Sequence, residues 1–346
     1  MRKLFTFMLC VLLLAACSEN EGSETPTTSP DPTPIVPTQA TRGPGYPADS
    51  QSGYPTYPGG EGSVPDQELP TSQVTFPGQI VFHSERAGAG LQLYLLEGSS
   101  DSPTLLTAGP AQAYEPVWSP DCQSILYASQ QGSADIDLHL LTVADRLSLP
   151  FLSQQRPDTM EWAPAWAGTG DRIAFQTNPG SIPTVCLADG SGGNVGCLQS
   201  GQTGSGHPAL SPDGTQMAYI SNEDGDWDIF IVDVANLGAP RKLTDNGQVD
   251  QHPRFSPDGQ TILFQSNPYS TFDLFTMRTD GSELTQLTFS VEDEVDGEWV
   301  GSDRIVYSGL QGADYELMMM DRDGQNQVRL TDSEGMDGGP AWCAAN

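Results

Sequence analysis

Three ionisable side chains recur at one phase of a repeating sequence, and together they could form a binding site. Glu115, His207 and His252 each lie three residues before a large apolar residue that recurs along the chain. A ring of carboxylate and imidazole groups can hold a metal ion or an anionic ligand, and it can equally cap strand ends and bind water. These three residues are the candidate binding residues, and their role depends on the repeat that positions them.

Few other motifs in the chain carry chemistry. The sequence contains no Gly-x-Ser-x-Gly elbow, no His-Glu-x-x-His pair and no phosphate-cradling glycine loop. The acidic stretch 224–228 places oxygen donors on alternate residues, as a calcium loop does, but Ile229 stands where such a loop needs glycine. We therefore predict no catalytic residue, no metal and no cofactor, and we interpret Asp228 as a structural carboxylate before a strand.

The chain is an array of repeats. The turn sequences Ser-Pro-Asp-Cys at 119–122 and Ser-Pro-Asp-Gly at 211–214 and 256–259 share one register. A large apolar residue lies directly before each turn, and residues at the same phase recur along the chain. These six residues, which we call anchors, are spaced by 48, 44, 45, 44 and 43 residues: Trp118, Trp166, Leu210, Phe255, Trp299 and Trp342. A period in the low-to-mid forties is typical of propeller blades.

The two ends of the array determine the number of blades. Trp342 is followed by almost no chain, whereas the β-prone segments 79–82, 91–95 and 104–107 form a second, third and fourth strand without a first. The two fragments complete each other. We therefore predict an all-β, six-bladed propeller that is closed by joining the N-terminal and C-terminal strands, which leaves no free sheet edge.

The Ser-Pro-Asp-Gly turns, the Asp280-Gly281 hairpin and second strands such as Ile173-Ala174-Phe175 resemble the WD40-like repeats of the TolB-like propeller family. The resemblance covers residues 79–346. The turn motif is lost at 167–170 and 300–303, and the α/β domain that precedes the propeller in TolB has no counterpart here. The resemblance implies a protein partner in the cell envelope.

The N-terminus is typical of an export signal. Residues 1–3 are basic, residues 4–14 are apolar, and small residues precede Cys17. The sequence Leu14-Ala15-Ala16-Cys17 also matches the bacterial lipobox, and the resemblance to lipoproteins implies that Cys17 becomes the acylated N-terminus. An ordinary signal peptide is the alternative, whereas the apolar run is too short to span a membrane.

Residues 18–77 are rich in Pro, Thr, Ser, Gly and Glu, and this composition predicts a disordered tether. The predicted domains are thus the signal peptide (1–17), the tether (18–77) and the propeller (78–346). The sequence holds 14 basic and 45 acidic residues, so loss of Arg2 and Lys3 leaves a net charge of 12 − 45 = −33, with Lys242 as the only lysine. This charge repels phosphate backbones and excludes a nucleic-acid partner.

Four cysteines lie in the predicted propeller, an even number that suits an oxidising compartment. Cys186 and Cys197 flank a hairpin loop, while Cys122 and Cys343 lie near the same end of neighbouring blades. We predict that Cys186 and Cys197 form a disulfide, Cys122 and Cys343 are the candidates for a second one, and free buried thiols are the alternative for either pair.

Together these features predict a monomeric, lipid-anchored extracytoplasmic propeller that binds or scaffolds a protein or glycan of the envelope. The alternative is a metal-dependent polysaccharide lyase with a site at the channel mouth. Lyases of the same repeat superfamily use channel histidines and a divalent metal, and this chain lacks their His-x-His cluster.

Overall fold

The computed structural model describes residues 74–344, with gaps at 89, 101, 132–134, 153–158, 181 and 200–202. The predicted signal peptide, Cys17 and most of the predicted tether lie outside the described residues. In the described part, 24 strands form six four-stranded antiparallel sheets, and no helix occurs there. A helix that could cross a membrane is accordingly not found among these residues.

The predicted six-bladed propeller is confirmed, and each sheet is one blade. Blades 1 to 6 are numbered in chain order, and β24 returns to blade 1. The strands are β1 (Gln79–Ser84), β2 (Gln92–Glu97) and β3 (Thr104–Leu105) of blade 1; β4 (Gln112–Trp118), β5 (Ser124–Gln131), β6 (Asp135–Thr142) and β7 (Leu147–Pro150) of blade 2; β8 (Glu161–Trp166), β9 (Arg172–Thr177), β10 (Thr184–Asp189) and β11 (Gly196–Cys197) of blade 3; β12 (Ser205–Leu210), β13 (Gln216–Ser221), β14 (Asp228–Asp233) and β15 (Arg241–Lys242) of blade 4; β16 (Asp250–Phe255), β17 (Thr261–Ser266), β18 (Asp273–Arg278) and β19 (Thr285–Gln286) of blade 5; β20 (Glu294–Val300), β21 (Arg304–Gln311), β22 (Asp314–Asp321) and β23 (Val328–Arg329) of blade 6; and β24 (Asp337–Cys343).

The ring closes as predicted, through the pairing of the last strand with the first. β24 runs antiparallel to β1, with Gln79 opposite Cys343 and Ser84 opposite Asp337. The first strands of neighbouring blades contact one another around the central channel. This closure satisfies the backbone donors and acceptors of β1 that an open sheet would leave free.

The core lies between blades. One cluster packs Val81 and Leu93 of blade 1 against Trp118 and Ile125 of blade 2. The anchor Trp118 also hydrogen-bonds between blades, since its Nε1 donates to the carbonyl of Ala341 in blade 1 at 3.1 Å. Each blade is therefore buried by its neighbours, which allows a repeat array of this length to fold as one domain.

The folded region begins before the predicted boundary at residue 78. Phe76 is only 7% exposed and packs with Ile80 and Phe82, and the Phe76 N–H donates to the Gly98 carbonyl at 3.2 Å. The tether prediction was wrong for residues 74–77. A single phenylalanine in a Pro/Gly-rich segment was too weak a signal of burial.

The disc has two ends, which we name by their loops. The upper end carries the starts of the first strands, the second-to-third-strand loops and the connections between blades. The lower end carries the Ser-Pro-Asp turns and the third-to-fourth-strand hairpins. Both ends of the described chain lie at the lower end, where Trp342 Nε1 donates to the Pro77 carbonyl at 2.6 Å.

Candidate functional site

A ring of six backbone bulges surrounds the channel. In every blade the pairing of the first and second strands is interrupted, and in each case a residue of the first strand has a positive φ. Left-handed backbone is uncommon outside glycine, and a bulge redirects the side chain that it carries. The ring residues and their φ values are Glu115 (51°), Ala163 (48°), His207 (42°), His252 (52°), Asp296 (56°) and Gly339 (55°).

The ring contains the three predicted binding residues, and the structure brings two of them into direct contact. The imidazole rings of His207 and His252 have centroids 3.9 Å apart. His252 Nδ1 lies 3.1 Å from Asp296 Oδ1 in the next blade. Glu115 belongs to blade 2, and its Oε2 accepts the N–H of Ala163 in blade 3 at 2.7 Å.

Second-strand side chains support two of the bulges. The His207 N–H donates to Gln176 Oε1 at 3.2 Å, and the Asp296 N–H donates to Gln265 Oε1 at 2.9 Å. Each glutamine belongs to the blade that precedes the bulge it supports. The strained backbone of the ring is therefore held by side chains from neighbouring blades.

The imidazoles of the ring are neutral at pH 7. Burial lowers the pKa of His252 to about 3, and the positive charge of Arg254 lowers it further. Burial also lowers the pKa of His207 well below its ordinary value, and the Nδ1 atom of His207 has no hydrogen-bond partner among the described residues.

Burial makes the carboxyl groups of the channel harder to ionise than exposed ones. Burial raises the pKa of Glu115 to about 7, although the hydrogen bond from Ala163 opposes the shift. Burial likewise raises the pKa of Asp296 and of Glu298. Arg254 Nε lies 3.2 Å from Glu298 Oε2, so this channel cation is already paired with a carboxyl group and is less available to an anionic ligand.

The channel histidines do not form a three-ligand metal site. Among the described residues, the one group of three acidic, histidine or cysteine side chains with all ligand atoms within 4.8 Å is Asp224, Asp228 and Asp245, on the upper end of blade 4. His207 and His252 are not part of it. The residues present therefore do not fit the metal that a lyase would need.

Asp296 was missed as a ring residue, and the acidic run that contains it was misjudged. The acidic composition of residues 292–296 would by itself suggest a solvated loop, whereas β20 begins at Glu294, which is 7% exposed. That expectation was wrong for Glu294, Val295 and Asp296. Asp296 lies three residues before Trp299, so the phase that selected His207 and His252 would have found it.

The repeated turn aspartates are structural. In each Ser-Pro-Asp turn the serine hydroxyl donates to the aspartate, whose Oδ1 also accepts a backbone N–H two residues later at 3.0 Å. The three serine–aspartate hydrogen bonds are all 2.6 Å long: Ser119–Asp121, Ser211–Asp213 and Ser256–Asp258. These hydrogen bonds lower the pKa of each carboxyl group. The carboxylate therefore stays ionised, and its oxygens already accept hydrogen bonds within the turn.

A second repeated carboxylate lies at the start of the third strand. Thr244 donates to Asp228 at 3.1 Å, and Thr244 Oγ1 accepts the Ile229 N–H at 2.9 Å. The same arrangement joins Thr288 to Asp273 and Thr331 to Glu316. The structural interpretation of Asp228 is thus supported by its hydrogen bonds.

Lys242 neutralises the acidic cluster of blade 4. Its ammonium lies 2.8 Å from buried Asp228 and 2.7 Å from exposed Asp245, and it also contacts Asp224. Burial disfavours the ammonium, but the hydrogen bonds that it donates to the three carboxylates outweigh this effect and raise the pKa of Lys242. A side-chain cation therefore occupies the place that the sequence pattern suggested for calcium.

In blade 5 the equivalent carboxyl meets a second acid instead of a lysine. Asp273 and Glu294 are buried and share a hydrogen bond, and no ion pair of the described residues includes either one. Burial raises the pKa of Asp273 to about 7 and that of Glu294 to about 8, where the charge of Asp273 adds to the shift. The pair holds a proton at neutral pH.

We expect Glu294→Gln to stabilise the protein at alkaline pH. A carboxyl whose pKa is higher in the folded state contributes most below its unfolded pKa, and this contribution is lost as pH rises through the folded value. The wild type should therefore lose stability between about pH 5 and about pH 8. Glutamine keeps a donor to Asp273 without titrating, so the variant should be more stable by about 1–3 kcal/mol at pH 8 and equal at pH 5.

Urea denaturation of both proteins from pH 5 to pH 8.5 measures this difference. Asp228, Glu316 and Glu115 titrate over the same range in both proteins, so the comparison isolates the Asp273–Glu294 pair. A difference that does not vary with pH would contradict the assignment of a shared proton.

The structure brings both predicted cysteine pairs to bonding distance. Cys122 and Cys343 join blades 2 and 1 at the lower end, with Cα atoms 6.0 Å apart. Cys186 and Cys197 face each other across β10 and β11, with Cα atoms 3.9 Å apart. Cys122 has a φ of 58°, close to the 69° and 68° of Gly214 and Gly259 in the equivalent turns.

Comparison with known proteins gives consistent results. A family profile described as the TolB beta propeller domain matches residues 151–342. A TolB homolog of Chlorobium luteolum is 29% identical over 269 residues, which are 77% of this chain and 60% of that protein. This chain thus spans less than two thirds of that relative's length.

Solved structures share the fold. TolB from Acinetobacter baumannii superposes with a TM-score of 0.66 at 20% identity, over 77% of this chain and 66% of that one. An oligogalacturonate lyase of Vibrio parahaemolyticus has a TM-score of 0.53 at 12% identity, over 75% of this chain and 76% of that one. The blade count, the repeated turns and the match over more than half of the sequence place this chain in the TolB β-propeller family.

Proposed function

We propose that this protein is a lipid-anchored, extracytoplasmic propeller that binds a protein, or a glycan, of the cell envelope. The observation that carries the proposal is that the acidic groups of the propeller bond to the protein's own turns and bulges. The repeated aspartates bond their own turns, and Glu115 and Asp296 contact neighbouring bulges. These acidic side chains thus stabilise the blades, and the loops provide the surface for recognition.

Two further observations support the location. The Leu-Ala-Ala-Cys sequence that ends at Cys17 suits acylation, and the four remaining propeller cysteines pair as an oxidising compartment allows. The family resemblance implies an envelope protein as the partner.

Chemical cross-linking in intact cells that express the full chain tests the proposal. We expect membrane fractionation, incorporation of labelled palmitate at Cys17, and one reproducible cross-linked partner. Cys17→Ser should release the protein from the membrane and abolish labelling. A soluble wild-type protein, or the absence of any partner or bound glycan, would contradict the proposal.

The lyase alternative has one observation in its favour, the direct contact of His207 and His252 in the channel. Metal analysis of the purified protein separates the two functions. Stoichiometric metal that is lost in a His207→Ala/His252→Ala variant would favour the enzyme, whereas a metal-free protein favours the binding module.

A further inference from the structure

Most of the exposed large apolar side chains of the described residues lie on one loop pair. Tyr269 is 39% exposed, Phe289 46% and Val291 50%, and all three belong to loops at the upper end of blade 5. The other two, Leu147 and Leu149, lie on the outer strand β7 of blade 2. Clustered exposed apolar side chains rimmed by polar residues are typical of an interaction site.

The two loops of blade 5 are fixed to each other. The Phe272 N–H donates to Asp293 Oδ1 at 2.8 Å, and the Glu294 N–H donates to the Phe272 carbonyl at 2.8 Å. The Ser290 N–H bonds Asp273, so the buried acid pair of blade 5 also holds the segment between Phe289 and Val291. A surface that is ordered before binding loses little conformational entropy when a partner docks.

The surroundings of this surface are acidic. At the upper ends of blades 4, 5 and 6 the described loops and strand starts carry nine carboxylates outside the buried ones: Glu223, Asp224, Asp226, Asp245, Glu292, Asp293, Asp314, Asp332 and Glu334.

The cations at the same end are already paired. Lys242 contacts three aspartates, and Arg329 lies 2.7 Å from Asp332. The other arginines of blades 4 to 6, apart from Arg254 in the channel, lie at the lower end: Arg241, Arg278, Arg304 and Arg322. The upper end therefore attracts positive charge and repels negative charge.

We propose that the upper end of blade 5 docks a basic protein segment that carries apolar anchor residues. The anchors pack on Phe289, Val291 and Tyr269, while lysine or arginine side chains meet the surrounding carboxylates, such as Glu292. This inference rests on the proposed binding function and specifies the chemistry of the partner. The charge determines how fast and how selectively the segment is attracted, and the apolar side chains determine where it binds.

Fluorescence anisotropy with defined peptides tests the docking surface. The probe is a labelled twelve-residue peptide in which Lys and Leu alternate, and the comparisons are oligolysine and the same peptide with Glu in place of Lys. We expect the full chain to bind the Lys/Leu peptide, to bind oligolysine at least tenfold more weakly, and not to bind the Glu peptide. Raising the salt from 50 to 300 mM should weaken binding further.

The variants separate the surface from general attraction to an acidic protein. Phe289→Ser/Val291→Ser should weaken binding of the Lys/Leu peptide at least tenfold, whereas Leu147→Ser/Leu149→Ser should change it less than twofold. Glu292→Gln, which leaves every apolar residue unchanged, should weaken binding of the Lys/Leu peptide severalfold. Unchanged binding in the Phe289/Val291 variant, equal binding of oligolysine, or no binding by the wild type would overturn the inference.

The same variant in the cell separates this inference from the proposed function. If an envelope partner still cross-links to Phe289→Ser/Val291→Ser, the binding function stands and the docking surface is wrong. If the wild type cross-links to nothing, the binding function itself fails.

Discussion

Replacing Lys242 by methionine is expected to lower the free energy of unfolding by about 2–4 kcal/mol. The substitution leaves Asp224, Asp228 and Asp245 close together without their shared cation, and the side chain of Asp228 is fully buried. Removing one partner of a buried ion pair is costly because the remaining charge stays desolvated. Urea denaturation at pH 7 measures the loss, and methionine preserves the aliphatic stem of the lysine.

A second substitution tests the cause. In the Lys242→Met background, Asp228→Asn removes the stranded charge and should recover at least half of the lost stability. Millimolar calcium should raise the melting temperature of the Lys242→Met variant and leave the wild type unchanged, because a divalent ion can then take the place of the ammonium. If Lys242→Met is as stable as the wild type, the cluster does not contribute as described.

Removal of the Cys122–Cys343 bridge is expected to have the larger effect of the two disulfides. The pair closes 221 residues and the Cys186–Cys197 pair closes 11, so the loop entropy of the unfolded chain predicts about 5 and about 3 kcal/mol respectively. Cys122→Gly/Cys343→Ala is the informative variant, since glycine suits the positive φ that Cys122 shares with Gly214 and Gly259.

Denaturation without reductant, compared with Cys186→Ala/Cys197→Ala, measures the order of the two effects. Mass spectrometry of the untreated protein should show four fewer hydrogens than the fully reduced chain. Equal losses in the two variants, or free thiols in the untreated protein, would contradict the prediction.

The fold was predictable because its signals are local and repeated. The Ser-Pro-Asp turns and the anchors from Trp118 to Trp342 recur at a nearly constant spacing, so one blade explains the others. The incomplete repeat at each end predicted the closure through β24. The burial of Phe76 was not predicted because this residue precedes the repeats and has no equivalent position in another blade.

The site was only partly predictable because it depends on contacts between blades. The phase of Glu115, His207 and His252 located the bulge ring, but the contact of His252 with Asp296 joins strands from different repeats. Lys242 and Asp224 are 18 residues apart and meet only through the register of β14 and β15. A local sequence pattern does not predict contacts between residues from different strands, and it does not predict the burial that shifts the pKa of Glu294.

The pairing of β24 with β1 also has a consequence for biosynthesis. The ribosome releases Asp337–Cys343 after every other described strand, so until then β1 keeps an unpaired edge and blade 1 lacks its channel-lining strand. Completion of the native state is thereby delayed until β24 has been synthesised and can pair with β1. A transcript truncated before codon 337 would yield a product with an exposed edge, open to aggregation and proteolysis.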